Sequence, residues 1–108
     1  MWYLEKEVWI SSAHFLNDYI GACSNIHGHN WLVKVYCKGD KLDKAGMLID
    51  FKEIKGIVDQ LDHKNLNLVV PVNPTAENLA KYICELVPHC WQVEIHEAKG
   101  SVARYVKD

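Results

Sequence analysis

The stretch WLVKVYCK, residues 31–38, alternates two kinds of side chain without a break. Tryptophan, two valines and cysteine fall on one side, and leucine, two lysines and tyrosine on the other. Because successive residues of a strand point to opposite faces, this pattern predicts a strand with one face in a core. Alternation in residues 2–10, 91–97 and 101–107 predicts three more strands, the last two joined as a hairpin across AKGS. The residues expected to share one face of the third strand are Trp91, Val93, Ile95 and Glu97.

Two segments between the second and third strands repeat apolar residues at the spacing of a helix. The first, DFKEIKGIVDQL, begins at Asp50, whose carboxylate can cap the helix. The second follows NPTAEN, where Thr75 can act as the cap and Glu77 lies favourably in the first turn. Pro88 is expected to end it. The predicted buried residues are Ile54, Ile57, Val58 and Leu61 in the first helix and Leu79, Ile83, Leu86 and Val87 in the second.

The order of these elements is typical of an α+β domain. The length of 108 residues is that of one domain, so residues 1–108 are expected to form a single unit. We expect a four-stranded antiparallel sheet with two helices on one face. Such a sheet has two exposed edges, and association of several chains into a ring would cover them.

Charge and cysteine content narrow the functional classes. The net charge of -2 argues against a nucleic-acid partner. The opening segment MWYLEKEVWI has three charges in seven residues and no long apolar run, so neither a secretory signal nor a membrane span is expected. Four cysteines without a CxxC pair and without an export signal favour a reducing cytoplasm over disulfides or a thiolate zinc clip.

The segment CSNIHGHN, residues 23–30, places His27 and His29 two positions apart at the start of the second strand. Residues i and i+2 of a strand share a face roughly 7 Å apart, so two imidazoles there can share a metal. A polar strand entrance explains HxH alone equally well. His14 ends the first strand and lies beside this pair if the first two strands pair antiparallel. Three histidines with an open fourth position are the composition of a catalytic zinc site.

Cys23 has two candidate roles. As a fourth ligand it would close the metal site and make it structural. As a free thiol beside the metal it would serve as a base, because a nearby cation lowers a cysteine pKa from its usual value of about 8.5. The spacing to His27 is compatible with both roles.

Three further residues carry chemistry outside the histidine motif. Asp62 and His63 follow the first helix, and as sequence neighbours they are not expected to form a side-chain dyad. They are either favourable helix-end residues or a proton relay. Glu97 ends an apolar strand face, where a carboxylate forms an edge salt bridge or anchors a ligand.

Six motifs in one order span nearly the whole chain: SSAHF, CSNIHGHN, GMLIDF, LDHKNLN, NPTAEN and the late HE. Together they resemble the 6-pyruvoyl-tetrahydropterin synthase family. The four-residue step from Cys23 to His27 is similar to that of its 6-carboxy-5,6,7,8-tetrahydropterin synthase branch. This resemblance implies the tunnelling fold (T-fold), in which sheets of several subunits join into a barrel, commonly as trimers stacked into a homohexamer with active sites at subunit interfaces.

The resemblance also implies a zinc-dependent lyase of queuosine biosynthesis. Its substrate would be 7,8-dihydroneopterin triphosphate, converted to 6-carboxy-5,6,7,8-tetrahydropterin with release of acetaldehyde and triphosphate. The residues matching the family's zinc ligands are His14, His27 and His29. Cys23 matches the family's proton acceptor, and Asp62 with His63 matches its relay, which reaches in from a neighbouring subunit. Glu97 matches the residue that anchors the pterin ring, and Thr75 and Glu77 lie in the adjoining pocket motif.

Two alternatives stand beside this interpretation. One is a pyruvoyl-type or aldolase-like activity on the same substrate. The other is a non-catalytic zinc protein in which Cys23 completes the ligand set. Analysis of the reaction products distinguishes the first alternative from the carboxy reaction. A substitution of Cys23 distinguishes the second, because it shows whether the cysteine is needed for zinc binding or only for turnover.

Overall fold

A computed structural model describes all 108 residues, Met1–Asp108. Four strands form one antiparallel sheet in chain order. They are β1 (Trp2–His14), β2 (His27–Gly39), β3 (Cys90–Ala98) and β4 (Ser101–Val106). The predicted sheet is confirmed, and so is the hairpin, because Ala98 pairs with Ser101 across a two-residue turn. Gly100 in that turn has a φ of +86°, a conformation that glycine adopts without steric cost.

Three helices lie in the connection from β2 to β3. They are α1 (Phe51–Asp59), α2 (Leu66–Val69) and α3 (Ala76–Leu86). Both predicted caps are confirmed: the Asp50 carboxylate accepts the Lys52 N–H at 2.8 Å, and the Thr75 hydroxyl accepts the Asn78 N–H at 3.1 Å. The four-residue α2 was not predicted, because one turn is too short to show helical periodicity. None of the helices is long and apolar enough to cross a membrane.

The inner face of the sheet and the helices enclose one hydrophobic core. The alternation predicted for residues 31–37 is confirmed, since its tryptophan, valines and cysteine are fully buried. Burying one valine or isoleucine side chain completely stabilises the fold by roughly 1.5–3 kcal/mol. All four cysteines are free, and three of them pack in the core as small apolar residues. The helical residues buried against the sheet include Ile54, Val58, Leu79 and Ile83.

Two details of the predicted core are wrong. Leu86 is 44% exposed, and Ala80 and Cys84 are buried in α3 instead. On a helix of 3.6 residues per turn, Leu86 lies at the margin of the buried stripe rather than at its centre.

The second error concerns Trp91, which does not share the inner face of β3. The pairing shifts between Tyr36 and Cys37, so that Cys37 faces Cys90 and Trp91 is the extra residue of a bulge. Its ring packs instead against Tyr3 and Tyr36, with centroids 6.5 and 6.2 Å away. A bulge breaks the two-residue alternation, which strict periodicity assumes.

Candidate metal centre and active site

The three predicted histidine ligands meet at one end of the inner face. Antiparallel pairing places His14 directly opposite His27, and His29 follows two residues along β2. Their ring centroids are 4.5 to 5.1 Å apart. One ligand nitrogen from each ring lies within 4.8 Å of the other two, and no other three His, Cys, Asp or Glu side chains in the chain converge in this way. These three histidines are called the histidine cluster below.

Backbone carbonyls orient two of the rings. The Nδ1–H of His14 donates to the carbonyl of Pro74 at 2.7 Å, and that of His27 donates to the carbonyl of Asn25 at 2.7 Å. A carbonyl only accepts, so Nδ1 carries the proton and Nε2 of the neutral ring keeps its lone pair. This is the outer-shell arrangement usual for histidines that bind metals.

The Nε2 atoms of His14, His27 and His29 are buried without a hydrogen-bond partner. Such orphaned atoms are rare in proteins, and a bound ion is one of the few reasons for keeping them. Burial is the main cause that lowers the pKa of His14 and His29, which favours the neutral imidazole that binds metals. The cluster could therefore hold a metal ion, and an imidazole set suits zinc, copper, iron or nickel.

Cys23 lies outside the histidine cluster. It sits in a short 3-10 turn, Ala22–Ser24, and is half-buried. Its carbonyl accepts the N–H of Leu16 at 2.8 Å, which holds the turn against the end of β1. The thiol is not among the converging ligand atoms. The candidate metal ligands that converge are therefore the three histidines. Cys23 is near His27 in sequence but does not belong to the histidine cluster.

Asp62 and His63 form the side-chain contact that their adjacency in sequence seemed to preclude. Nε2 of His63 lies 3.5 Å from Oδ2 of Asp62. The backbone of His63 is left-handed, with a φ of +54°, and this conformation turns the ring back towards its neighbour. The Asp62 carboxylate also accepts the N–H of Ser11 at 2.7 Å, which fixes the pair along the edge of β1.

The ring of His63 is open to solvent, with 83% of its side chain exposed. It lines a polar groove of about 550 Å³ along β1 and β2, together with Lys64, Asn30 and His29. The exposed ring is therefore free to meet a substrate or another chain.

Glu97 lies on the other flank of the histidine cluster. The pairing of β3 with β4 shifts between His96 and Ala98, so Glu97 occupies an irregular position at the strand end. Its Oε1 lies 3.3 Å from Nε2 of His29. Glu97 and Glu77 line one cavity of about 410 Å³ between the start of α3 and β4.

Thr75 does not line this cavity, and its hydroxyl serves as the cap of α3. Its neighbour Pro74 is one of two site residues that sequence reasoning missed, the other being Asn25. Both act through carbonyl groups, which every residue carries, so neither has a signature in the sequence. The buried Trp31 completes the wall of the site, with its ring 4.8 Å from that of His14.

The family model described as 6-pyruvoyl tetrahydropterin synthase matches residues 3–108. The chain belongs to this family. A solved member, the 6-pyruvoyl tetrahydropterin synthase of Caenorhabditis elegans, superposes with a TM-score of 0.79 at 28% identity, covering 98% of this chain and 95% of that one. The predicted T-fold of the subunit is therefore confirmed.

Curated members of the family include two relatives named 6-carboxy-5,6,7,8-tetrahydropterin synthase. The Bacillus subtilis protein is 35% identical over 94% of this chain and 83% of its own length. The Synechocystis protein is 34% identical, over 97% and 93%. The resemblance to the carboxy branch is thus confirmed, and the chain is a pterin synthase homologue of this enzyme family.

Proposed function

We propose that the chain is a zinc-dependent 6-carboxy-5,6,7,8-tetrahydropterin synthase. It converts 7,8-dihydroneopterin triphosphate to 6-carboxy-5,6,7,8-tetrahydropterin, with release of acetaldehyde and triphosphate, in queuosine and 7-deazapurine biosynthesis. The observation that carries the proposal is the convergence of three histidines whose buried Nε2 atoms have no hydrogen-bond partner. The names of the Bacillus and Synechocystis relatives support the choice of product.

His14, His27 and His29 hold the metal ion. Zinc bound there would supply Lewis acidity, which would make a C–H bond of the substrate side chain more acidic. Cys23, four residues before His27, serves as the base that removes this proton. Its half-buried position at the end of β1 supports the role, because a base must be reached by the substrate.

Asp62 and His63 relay protons. The Asp62 carboxylate lies 3.5 Å from Nε2 of the imidazole and holds the ring in place, so that His63 can pass protons to and from a substrate. The exposure of the His63 ring supports a contribution across a subunit interface, where it would face the cysteine of a neighbouring chain.

Glu97 and Glu77 bind the pterin ring. Their shared cavity presents two carboxylates to a heterocycle that carries N–H donors, and a carboxylate pairs well with such donors. Thr75 contributes by capping α3 and so positioning Glu77 in its first turn. Fixing the ring places the reacting side chain next to the histidine cluster.

The working enzyme is a cytoplasmic homohexamer, built as a dimer of trimers whose sheets join into barrels. The two outer strands of the single sheet, β1 and β4, support this assembly. Exposed apolar side chains line both, including Trp9 on β1 and Val102 and Val106 on β4. Unpaired edges of this kind favour pairing with another chain.

The test is a product analysis. Zinc-loaded protein is incubated with 7,8-dihydroneopterin triphosphate, and mass spectrometry is expected to detect 6-carboxy-5,6,7,8-tetrahydropterin and acetaldehyde. A Cys23→Ala variant is expected to keep zinc and lose turnover. Absence of turnover in the zinc-loaded wild type would leave a non-catalytic zinc protein, and loss of zinc from Cys23→Ala would make the cysteine a ligand.

A second candidate is the pyruvoyl or aldolase reaction on a related pterin. A Dictyostelium discoideum relative named 6-pyruvoyl tetrahydrobiopterin synthase is 32% identical over 93% of this chain. A Pyrococcus furiosus relative named dihydroneopterin monophosphate aldolase matches 57% of the chain at 39% identity. Detection of a 6-pyruvoyl product or a hydroxymethylpterin, without the carboxy product, would establish this alternative.

A further inference from the structure

One loop, residues 15–26, joins β1 to β2 and carries Cys23. Inside the loop, the N–H of Leu16 donates to the carbonyl of Cys23 at 2.8 Å, and the N–H of Ser24 donates to the carbonyl of Gly21 at 3.1 Å. These bonds join one part of the loop to another. They give the loop its shape but do not attach it to the helices beside it.

Two asparagine side chains attach the loop to the connection from β2 to β3. Asn67, in α2, accepts the N–H of Phe15 at 2.8 Å and donates to its carbonyl at 2.9 Å. Asn73, between α2 and α3, accepts the N–H of Asn17 at 2.9 Å and donates to its carbonyl at 3.1 Å. These four are the only hydrogen bonds between residues 15–26 and that connection.

Each asparagine takes the place of a neighbouring backbone. An amide side chain carries a carbonyl acceptor and N–H donors, as a peptide group does. Backbone pairing along this edge of β1 ends at Ala13, whose N–H donates to the carbonyl of Lys64 at 2.9 Å. The side chains of Asn67 and Asn73 continue the pairing as far as Asn17. The attachment of the loop therefore depends on side chains that a substitution can remove.

The two asparagines flank the residue that holds the Cys23 turn. Phe15 and Asn17 direct their peptide groups to the asparagines, and Leu16, between them, donates to the carbonyl of Cys23. The Cys23 backbone is thus hydrogen-bonded to a segment whose neighbouring residues are fixed from the helical side. Loss of either asparagine side chain would loosen that segment and the turn with it.

Apolar packing does little to hold this loop. Ile20 is fully exposed, and Tyr19 and Ile26 are each more than half exposed. Segments with few buried apolar contacts open locally at a low free energy. A reacting group must stay close to its productive geometry, since a displacement of about 1 Å can lower a rate about a hundredfold. A base on this loop therefore needs the polar attachment.

We propose that Asn67 and Asn73 are positioning residues, which hold the Cys23 turn in place for proton removal. The inference rests on the role of Cys23 as the base in the proposed function. Neither asparagine lines the groove beside His63 or the cavity beside Glu97. They act through the backbone of the loop rather than on the substrate.

Thiol alkylation tests this proposal without an activity assay. Zinc-loaded protein is treated with iodoacetamide, and mass spectrometry of its peptides gives the rate at Cys23, the one cysteine that is not buried. Asn67→Ala and Asn73→Ala are each expected to raise this rate at least about threefold, because the loop opens more often.

Steady-state kinetics distinguish positioning of the base from a role in stability alone. Both alanine variants are expected to lower kcat about tenfold or more with little change in KM, because the base is misplaced while the substrate contacts remain. Asn67→Asp keeps the acceptor for the Phe15 N–H and loses the donor, so its alkylation rate and kcat are expected to lie between those of the wild type and Asn67→Ala. Zinc affinity is expected to be unchanged in Asn67→Ala, because the Pro74 carbonyl orients His14.

Asp50→Ala is the matched control. It also removes a side-chain acceptor from a backbone N–H, at 2.8 Å, but at the start of α1 and away from the loop. It is expected to keep the wild-type alkylation rate and kcat.

Three results would overturn the proposal: unchanged alkylation in both asparagine variants, an equal rise in Asp50→Ala, or loss of zinc from Asn67→Ala. A zinc-loaded wild type without turnover would instead overturn the proposed function. Faster alkylation in the asparagine variants would then still support their hold on the Cys23 turn.

Discussion

Two clusters of polar side chains lie on opposite faces of the sheet and differ in whether their buried atoms have partners. In the outer-face cluster, Glu94 is only 7% exposed, yet both carboxylate oxygens are occupied. Arg104 donates to one at 2.9 Å, and Nε2 of His96 lies 2.6 Å from the other. In the histidine cluster, His14 is only 1% exposed, and the Nε2 atoms of all three rings are buried without a hydrogen-bond partner.

The comparison supports a structural role for the outer-face cluster and agrees with the metal-binding role proposed for the histidine cluster. A satisfied network offsets the cost of burying its charges. An unsatisfied buried polar atom costs about 1–3 kcal/mol. A chain that keeps three such atoms together gains nothing in folding from them, which agrees with the proposal that the histidine cluster binds a metal ion. The outer-face cluster needs no ligand.

The largest expected effect separates the two clusters by metal content. His29→Ala removes one of three ligands and is expected to lower zinc affinity more than about a hundredfold, beyond the usual cost of an outer-shell change. His96→Ala, which removes a histidine from the outer-face cluster, is expected to leave zinc affinity unchanged. Elemental analysis after dialysis against a weak chelator measures both. Equal zinc loss in the two variants would contradict the assignment of metal binding to the histidine cluster alone.

The reverse pattern is expected for stability. Glu94→Ala leaves Arg104 and His96 without their acceptor, and it is expected to lower the free energy of unfolding by about 2 kcal/mol while zinc binding is retained. Urea denaturation of the metal-free proteins measures this change. His29→Ala is the comparison variant, and a larger loss of metal-free stability in it than in Glu94→Ala would contradict the assignment.

A smaller effect on zinc affinity is expected when the helix cap next to the histidine cluster is removed. Asp50→Ala and Thr75→Ala each remove a cap and are expected to cost about 1 kcal/mol of stability. Only Thr75→Ala is expected to weaken zinc binding, several-fold, because the adjacent Pro74 carbonyl holds His14. Competition with a chromophoric chelator measures the affinity. An equal change in Asp50→Ala would show that general destabilisation is the cause.

The smallest expected effect is the acid dependence of the outer-face cluster. Burial by itself raises the pKa of Glu94, but hydrogen bonds from Arg104 and His96 outweigh it and lower the pKa below its ordinary value of 4.5. The stabilisation is therefore complete above pH 4.5 and is lost as the pH falls through the lower, folded-state pKa. Urea midpoints measured below pH 4.5 are expected to fall less steeply in Arg104→Met than in the wild type. Parallel slopes would contradict the role of Arg104.

Much of this architecture could be predicted because its causes are local. The alternation along β2 and the caps at Asp50 and Thr75 each depend on neighbouring residues. The meeting of His14 with His27 needed one further assumption, that consecutive strands pair antiparallel. Short connections make this pairing common, and so the three converging histidines could be named in advance.

The errors arose where a distant partner or an unusual backbone decided the outcome. Trp91 turned to the outer face because a bulge added one residue to β3. The contact of His63 with Asp62 occurs at a residue with a left-handed backbone, a conformation that could not be predicted from the sequence. The Pro74 carbonyl reached His14 from sixty residues away in sequence.

The sequence by itself determined the order of the strands and of the two longer helices, the caps, the candidate ligand set and, through its ordered motifs, the family. Only the tertiary structure decided which atoms lack partners and where Glu97 lies relative to His29. The physical reason is that periodicity and capping act within a few residues, whereas satisfaction of a buried atom depends on every element packed around it. The lack of hydrogen-bond partners at the three histidine Nε2 atoms is therefore a property of the folded chain alone.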